Sequence, residues 1–409
     1  MQRIHIVGGG LAGFTAAITA AESGALVTLH EAHHTLGGRA RTAEGPYRTN
    51  EGPHALYRRG PHWTWLDRRG LLGPVVGVPP LEGTRLRFRL GGTLRRTPPL
   101  SLVRLGRLRA EHAPVDTDFR TWATGRAGEE AARLAAHYAA VALYHHDPGS
   151  LSAAFVQERL RRAAALPPEA RYPVGGWAQV IDRMAARAWN LGVRIETASR
   201  VDADGLDALT RQGPVIVATS LDAARALLGD PALTWDSGRT ALIDLALRTR
   251  RGDAFAVSDL DAPGWIERFS AQDRTLAPAG QQLVQGQFPL APDEPRAVGI
   301  ARAEELLDLG HPGWRERTEW RRESVSRGRT GAVDRPGTTW RDRPAIDRGD
   351  GIYLAGDQVA APGLLSEVSF NSGLEAAVLA LGASEPRPAR TTDGEPVRTT
   401  DARPGLSQI

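Results

Sequence analysis

Short apolar runs alternate with small-residue turns along the start of this chain. Arg3 to Val7 is an apolar run of strand length, and a glycine-rich turn, Gly8 to Gly13, follows it. A helix-like run, Phe14 to Ser23, comes next, then a second short run, Leu26 to His30, ending at Glu31. That order predicts a strand, a tight turn, a helix and a second strand, as in a parallel βαβ unit. Gly60 to Leu72 has helical spacing. Thr84 to Leu94 alternates around Gly91-Gly92, which predicts a hairpin with Leu86, Phe88 and Leu90 on one face and Arg85, Arg87 and Arg89 on the other.

Farther on, helices are predicted for Glu129–Leu143, Ala178–Asn190, Leu221–Leu228 and within Arg296–Leu309. Leu100–Leu108 fits a short amphipathic helix. Strands are predicted at Val193–Glu196, Val215–Thr219 and Thr240–Arg248. Gly351 to Leu354 is a last strand, which runs into Ala355-Gly356-Asp357, and Ser372 to Ala377 belongs to a final helix. Beyond Gly382 the chain is rich in Pro, Arg, Thr and Asp and repeats Arg-Thr-Thr-Asp, so residues 383–409 read as a disordered tail.

The turn after the first strand carries chemistry. Gly8, Gly10 and Gly13 have the Gly-x-Gly-x-x-Gly spacing of a dinucleotide site. Gly8 allows the turn, Gly10 lets a pyrophosphate approach the backbone, and Gly13 lets the helix pack on the sheet. Leu11 and Ala12 lie between them, where helix N–H groups meet phosphate. Glu31 ends the second strand, placed to accept hydrogen bonds from a ribose, with Ala32 next to it. A carboxylate there repels a 2′-phosphate, which disfavours NADP. Gly37-Gly38-Arg39 points to FAD in particular. A purely NAD-binding dehydrogenase needs neither that motif nor Gly356-Asp357.

Composition narrows the chemistry. The 409 residues leave room for two domains. There is no cysteine, which excludes disulfides, thiolate catalysis and a cysteinyl flavin link, and leaves a histidyl link open. There is no lysine, so all 51 basic residues are Arg and Schiff-base chemistry is excluded. Net charge is only +4, and no basic–aromatic module points to nucleic acid. No signal peptide is evident and no uninterrupted apolar run has spanning length, so a cytoplasmic protein is expected, with weak membrane-surface contact through Leu100–Leu108 left open. His33-His34 and His145-His146-Asp147 read as surface loops rather than metal sites.

These residues resemble the FAD-dependent superfamily that contains phytoene desaturase, protoporphyrinogen oxidase and monoamine oxidase. The resemblance covers residues 1–60, about 172–228 and about 345–381, and Pro173-Val174-Gly175-Gly176 and the Arg85–Pro99 stretch look most like the phytoene-desaturase side. It implies an α/β fold: a Rossmann-like FAD-binding domain, a parallel sheet with helices, built from 1–60, 171–230 and 341–382. An α+β substrate domain, 61–170 and 231–340, is inserted into it. It also implies that Arg39 contacts the FAD phosphates or ribityl, that the Val201 backbone meets adenine, and that Asp357, after Gly356, binds the pyrophosphate–ribityl segment. The helix beginning at Ser366, Glu367 and Val368 would aim its N–H groups at the isoalloxazine C2 carbonyl, stabilising the anionic reduced ring.

In this superfamily, the flavin accepts hydride, so acid–base residues are optional. His54, in Gly52-Pro53-His54, is a candidate proton acceptor or positioning residue near the flavin, and Glu367 a candidate contact to flavin or substrate. The compact insertions point to a hydrophobic small molecule, such as a terpenoid or another secondary metabolite, desaturated by hydride transfer to N5. The acceptor is oxygen or another oxidant, and the oligomeric state is left open. Two alternatives stand: an amine oxidase, disfavoured by the absence of the lysine that many amine oxidases place near N5, and a redox-neutral isomerase or cyclase.

Overall fold

The computed structural model describes residues 1–51, 55–103, 111–165 and 167–383. Gly52, Pro53, His54, the Arg104–Leu108 part of the expected amphipathic helix and the tail from Ser384 lie outside the described residues.

Five strands form a fully parallel sheet in the spatial order Ile352–Leu354, Val215–Val217, Arg3–Val7, Leu26–His30, Arg194–Glu196. The first strand is central because Ile4 and Ile6 are wholly buried. The order reverses on either side of it, and that reversal makes a crevice at the carboxyl ends of the strands. Helices Leu11–Glu22, Ala178–Asn190 and Ser366–Gly382 join the same apolar core. The first and last of these touch closely: a Cβ on Gly373 would lie 2.5 Å from the Ala12 carbonyl oxygen. The fold is thus a Rossmann-like domain whose sheet is assembled from distant parts of the chain. The first helix begins at Leu11, ahead of the expected Phe14, because Gly10 serves as its N-cap residue.

Seven strands form the second sheet, in the order Thr318–Ala332, Ser237–Arg248, Gln281–Pro289, Gly264–Glu267, Ala256–Asp259, Leu86–Leu90, Thr93–Arg95. Its pairs are antiparallel except Ala256–Asp259 against Leu86–Leu90. The expected hairpin is present, and both Gly91 and Gly92 have positive φ, as a tight primed turn requires. Helix Arg296–Gly310 covers one face through Ile300, Ala303, Leu306 and Leu307, which meet Ile243, Val257, Ile266 and Phe288. Helices Phe119–Ala127, Glu129–Leu143 and Ala153–Ala163 form a separate core beside the hairpin.

Between the two sheets runs a small antiparallel patch of Leu56–Tyr57, Ala170–Pro173 and Val75–Val76. It carries Tyr57 and Tyr172 into the space between them. No helix among the described residues is long and apolar enough to cross a membrane.

Candidate active site

At the carboxyl end of the first strand, side-chain volume is excluded at some positions and left free at others. A Cβ on Gly13 would lie 1.9 Å from the Gly8 carbonyl oxygen, and one on Gly8 2.6 Å from that of Ala218. At Gly10 the nearest atom to such a Cβ is Gly37 O, 3.9 Å away. The backbone there is open to a bulky group. Gly37 pairs with Gly10 in an isolated parallel bridge, which brings Gly37-Gly38-Arg39 alongside the turn. No side chain caps helix Leu11–Glu22, so its first-turn N–H groups and positive dipole end face the same opening.

Glu31 is buried beside this turn. Its Oε2 accepts from the Gly9 N–H at 2.8 Å, and its Oε1 accepts from the His33 N–H at 2.9 Å. The Glu31 carbonyl accepts the Ser199 N–H at 2.8 Å, and that of His33 the Ala198 N–H at 2.9 Å. These bonds draw the segment leading to Val201 next to Glu31 and Ala32.

Arg39 and Asp357, 318 residues apart in sequence, form a bidentate pair whose Nη2–Oδ1 arm is 2.6 Å long. Burial alone would push the Asp357 carboxyl up, but the Arg39 guanidinium outweighs it and the net shift is downward. Gly356 donates its N–H to the Ser372 hydroxyl at 2.9 Å, which ties this strand end to the last helix.

The head of that helix is held unusually tightly. Leu365 has φ +52° and ψ −114°, a strained conformation for a residue with a Cβ, immediately before Ser366. Glu367 is 2% exposed, and both its oxygens are engaged: Oε1 accepts from Arg162 at 2.8 Å and Oε2 from the Leu364 N–H at 3.0 Å. Arg162 reaches on to Glu169 at 2.8 Å. His62 lies 3.7 Å from Glu367 and is fully buried; burial, and then Arg162, hold its ring neutral, with a pKa of about 3. Val368 is buried on the same turn. Open glycine backbone, an uncapped helix end and a fixed carboxylate suit the pyrophosphate and ribose of a dinucleotide. FAD, when bound, supplies the hydride acceptor.

Sequence reasoning did not find the second half of the site. In the seven-stranded sheet, Glu267, Gln285, Asp244 and Arg322 stand opposite one another on four adjacent strands. They share one face, the one turned away from helix Arg296–Gly310. Glu267, Gln285 and Asp244 are each buried, so this polar face is not a solvent face. It abuts the other domain: Trp320 stacks on Tyr47 at 5.5 Å between ring centroids, and Gly175 N–H donates to Asp273 at 2.6 Å.

Arg322 donates to Asp244 at 2.8 Å, and Gln285 also donates to Asp244. Glu267 accepts from Trp265 at 2.9 Å, from Tyr172 at 3.1 Å and from Gln272, yet no Arg or His pairs with it among the described residues. Burial raises its pKa, against the pull of those donors. Tyr57 is close enough to Tyr138, Tyr144 and Glu367 for their fields to add to the burial that raises its pKa. Tyr172 senses Glu267 and Tyr57 in the same way, and Tyr144 senses Glu267. Four of the six tyrosines therefore gather near Glu267 and Glu367. Nothing in the sequence marked them, because they come from two short strands and one helix far apart in the chain. No cluster suited to a metal ion occurs among the described residues.

Fold and site together define a dinucleotide-dependent oxidoreductase. The chain belongs to the flavin containing amine oxidoreductase family, whose model matches residues 89–381, while an NAD(P)-binding Rossmann-like domain model matches residues 6–69. It is an FAD-dependent oxidoreductase. The fold is similar to that of an oxidoreductase from Methanosarcina mazei (16% identity, 91% of this chain and 99% of that one, TM-score 0.71). It is also similar to cyclohexylamine oxidase from Brevibacterium oxydans (17%, 93% and 99%, TM-score 0.70). Reduced UDP-galactopyranose mutase shares it too (16%, 94% and 96%, TM-score 0.67). No curated protein matches the chain at the level of sequence.

Proposed function

We propose that the enzyme removes hydride from a compact, polar small molecule held between the parallel-sheet domain and the inner face of the mixed sheet. The observation that carries this reading is the row Glu267, Gln285, Asp244 and Arg322, the first three of which are buried. A polyene or prenyl substrate calls for an apolar lining. This row instead presents two carboxylates, an amide and a guanidinium, with Leu283 as an aliphatic neighbour on the same face. Within the row the buried Gln285 Oε1 has no partner among the described residues, which costs about 1–3 kcal/mol, so a ligand that donates a hydrogen bond to it is favoured over one that does not. The hydrophobic substrate expected from the sequence gives way to one carrying nitrogen or oxygen beside the reacting carbon.

In this reading the chain's residues bind and orient. Gly8, Gly10, Gly13, Glu31, Arg39 and Asp357 hold the FAD, and the Ser366–Val368 turn approaches its ring. Glu367 acts as a positioning residue, since Arg162 and the Leu364 N–H already occupy its oxygens. The gathered tyrosines exclude water and present phenol edges to the substrate.

A second reading, oxidation of an amine, is favoured by one observation: Glu267 is a buried carboxylate without a cationic partner among the described residues. It suits an ammonium group, and its raised pKa lets an Oε take the proton that an amine sheds before it gives up hydride. Anaerobic addition of compact amines, amino alcohols and apolar polyenes to the FAD-loaded enzyme distinguishes the cases. Bleaching of the flavin band by the polar compounds is expected. Bleaching by polyenes alone defeats the proposal.

A further inference from the structure

Two short sequences in this chain are alike: Pro79-Pro80-Leu81 and Pro98-Pro99-Leu100. Each begins a short helix, Pro80–Gly83 and Leu100–Val103. Each leaves its leucine in the open: Leu81 is 82% and Leu100 84% exposed. Singly, exposed leucines are ordinary; two of them flanking one hairpin are an unusual pair.

The hairpin between them brings the two together. Phe88 pairs with Arg95 and Leu90 with Thr93, and Arg87 and Arg96 are the next residues outward on the two sides of the Phe88–Arg95 pair. Leu81 and Leu100 therefore leave from the same open end of one hairpin. Arginines crowd that end. Burial, then the fields of Arg96 and Arg85, lower the Arg87 pKa, so these guanidinium groups repel one another. Arg87 donates only to the Thr84 and Leu86 carbonyls, at 2.9 and 2.8 Å. Neither Arg87, Arg95 nor Arg96 has a carboxylate partner among the described residues. Glu82, the acid within this stretch, is spent on Arg268 and Arg85. Like charges placed opposite one another in a hairpin are destabilising unless something negative covers them.

We propose that this end of the hairpin is a docking surface for an anionic lipid bilayer, with Leu81 and Leu100 entering the interface and Arg87 and Arg96 lying over the lipid phosphates. Paired apolar tips and unneutralised arginines are the two elements that interfacial binding combines. An acidic protein would satisfy the arginines but leaves the leucines unexplained. The ion pair of Glu82 with Arg268, next to Glu267 in sequence, links this surface to the substrate sheet.

The test is flotation of the full-length, FAD-loaded protein with vesicles of phosphatidylcholine alone and of phosphatidylcholine with phosphatidylglycerol. Wild type is expected to float with the anionic vesicles and not with the neutral ones, and to be released by salt. The double variant Leu81→Ser/Leu100→Ser and the double variant Arg87→Gln/Arg96→Gln should each bind at least about tenfold more weakly. An unchanged flavin spectrum shows that each variant is folded. Failure of wild type to float with anionic vesicles overturns the proposal. So does equal flotation of wild type and both variants, or capture on immobilised polyglutamate without vesicle binding.

Discussion

The two sheets of this enzyme do their work in different places. The parallel sheet works at its strand ends, where glycine backbone, a helix terminus and a few carboxylates meet. The mixed sheet works on its face, where Glu267, Gln285, Asp244 and Arg322 line up across four strands. One site is made of backbone that must be bare. The other is made of side chains that must be buried. A site built from the absence of Cβ atoms tolerates almost no substitution, whereas a side-chain site can change its ligand and keep its fold.

Gly13→Val is the strongest challenge to that contrast. Its side chain would have to displace the Gly8 carbonyl, already 1.9 Å from a bare Cβ. Complete loss of bound flavin is expected, read as the absence of the flavin absorption band in purified protein. Gly10→Ala sharpens the result, because its Cβ has room in the protein and meets only the ligand. A normal circular dichroism spectrum with FAD affinity lowered at least about tenfold is expected. Unchanged affinity in Gly10→Ala would show that the pyrophosphate does not lie where the turn is open.

Asp357→Asn leaves the Arg39 guanidinium without its paired carboxylate. A loss of roughly 1–3 kcal/mol in unfolding free energy is expected, because Arg39 is partly exposed and solvent screens the charge left behind. Denaturant unfolding with and without added FAD measures it. The sign with pH follows from the lowered carboxyl pKa: the stabilisation is full above the ordinary aspartate value and is lost as pH falls through the folded one.

Acid should also strike the parallel-sheet domain through its buried histidines. His5 is held at about 4, by burial first and then by His30 and Arg3, and His62 at about 3. Both folded values lie below the unfolded one, so the unfolded chain takes up protons more readily. Stability is therefore full above about pH 6.5 and falls as pH drops from there toward 4, by about 2 kcal/mol per histidine at about pH 5. Melting temperatures across that range check the slope. Replacing His5 by Gln should flatten it, and an equally steep slope in that variant would refute the assignment.

Glu267→Gln is the mildest change and addresses the other sheet. Flavin content and spectrum should match wild type, while KM for a cationic or hydroxylated substrate rises about ten- to hundredfold. A lower flavin content in this variant would mean that the two sheets do not divide their work as described.

Legibility in the sequence followed the same division. The parallel domain was readable because its cues are local: Gly8 to Gly13, Glu31, Gly37 to Arg39 and Gly356-Asp357 each sit where a strand ends. Four of the mixed sheet's seven strands were missed. Thr318–Ala332 carries four arginines in the run from Arg321 to Arg329 and little aliphatic bulk, so nothing in it reads as a buried strand. Its partner Ser237–Arg248 supplies the apolar face. Asp244 and Gln285 alternate with Ile243 and Val284, a pattern that ordinarily means solvent on the polar side. Only the tertiary fold shows that a second domain covers it. The tyrosines were invisible for a related reason: their meeting depends on three elements, none of which carries a motif.

The parallel sheet also has a history in time. Its central strand, Arg3–Val7, is synthesised long before its outer neighbour Ile352–Leu354 and the helix from Ser366. Until then Val215–Val217 has an open edge and the small-residue face of Leu11–Glu22 lacks the helix it is shaped to meet. The inserted domain is thus synthesised, and can collapse, while the cofactor site is still in pieces. Such long-range closure is slow. FAD can be captured only after Asp357 and the helix from Ser366 have been made, so flavin loading in this enzyme follows the synthesis of the inserted domain rather than preceding it.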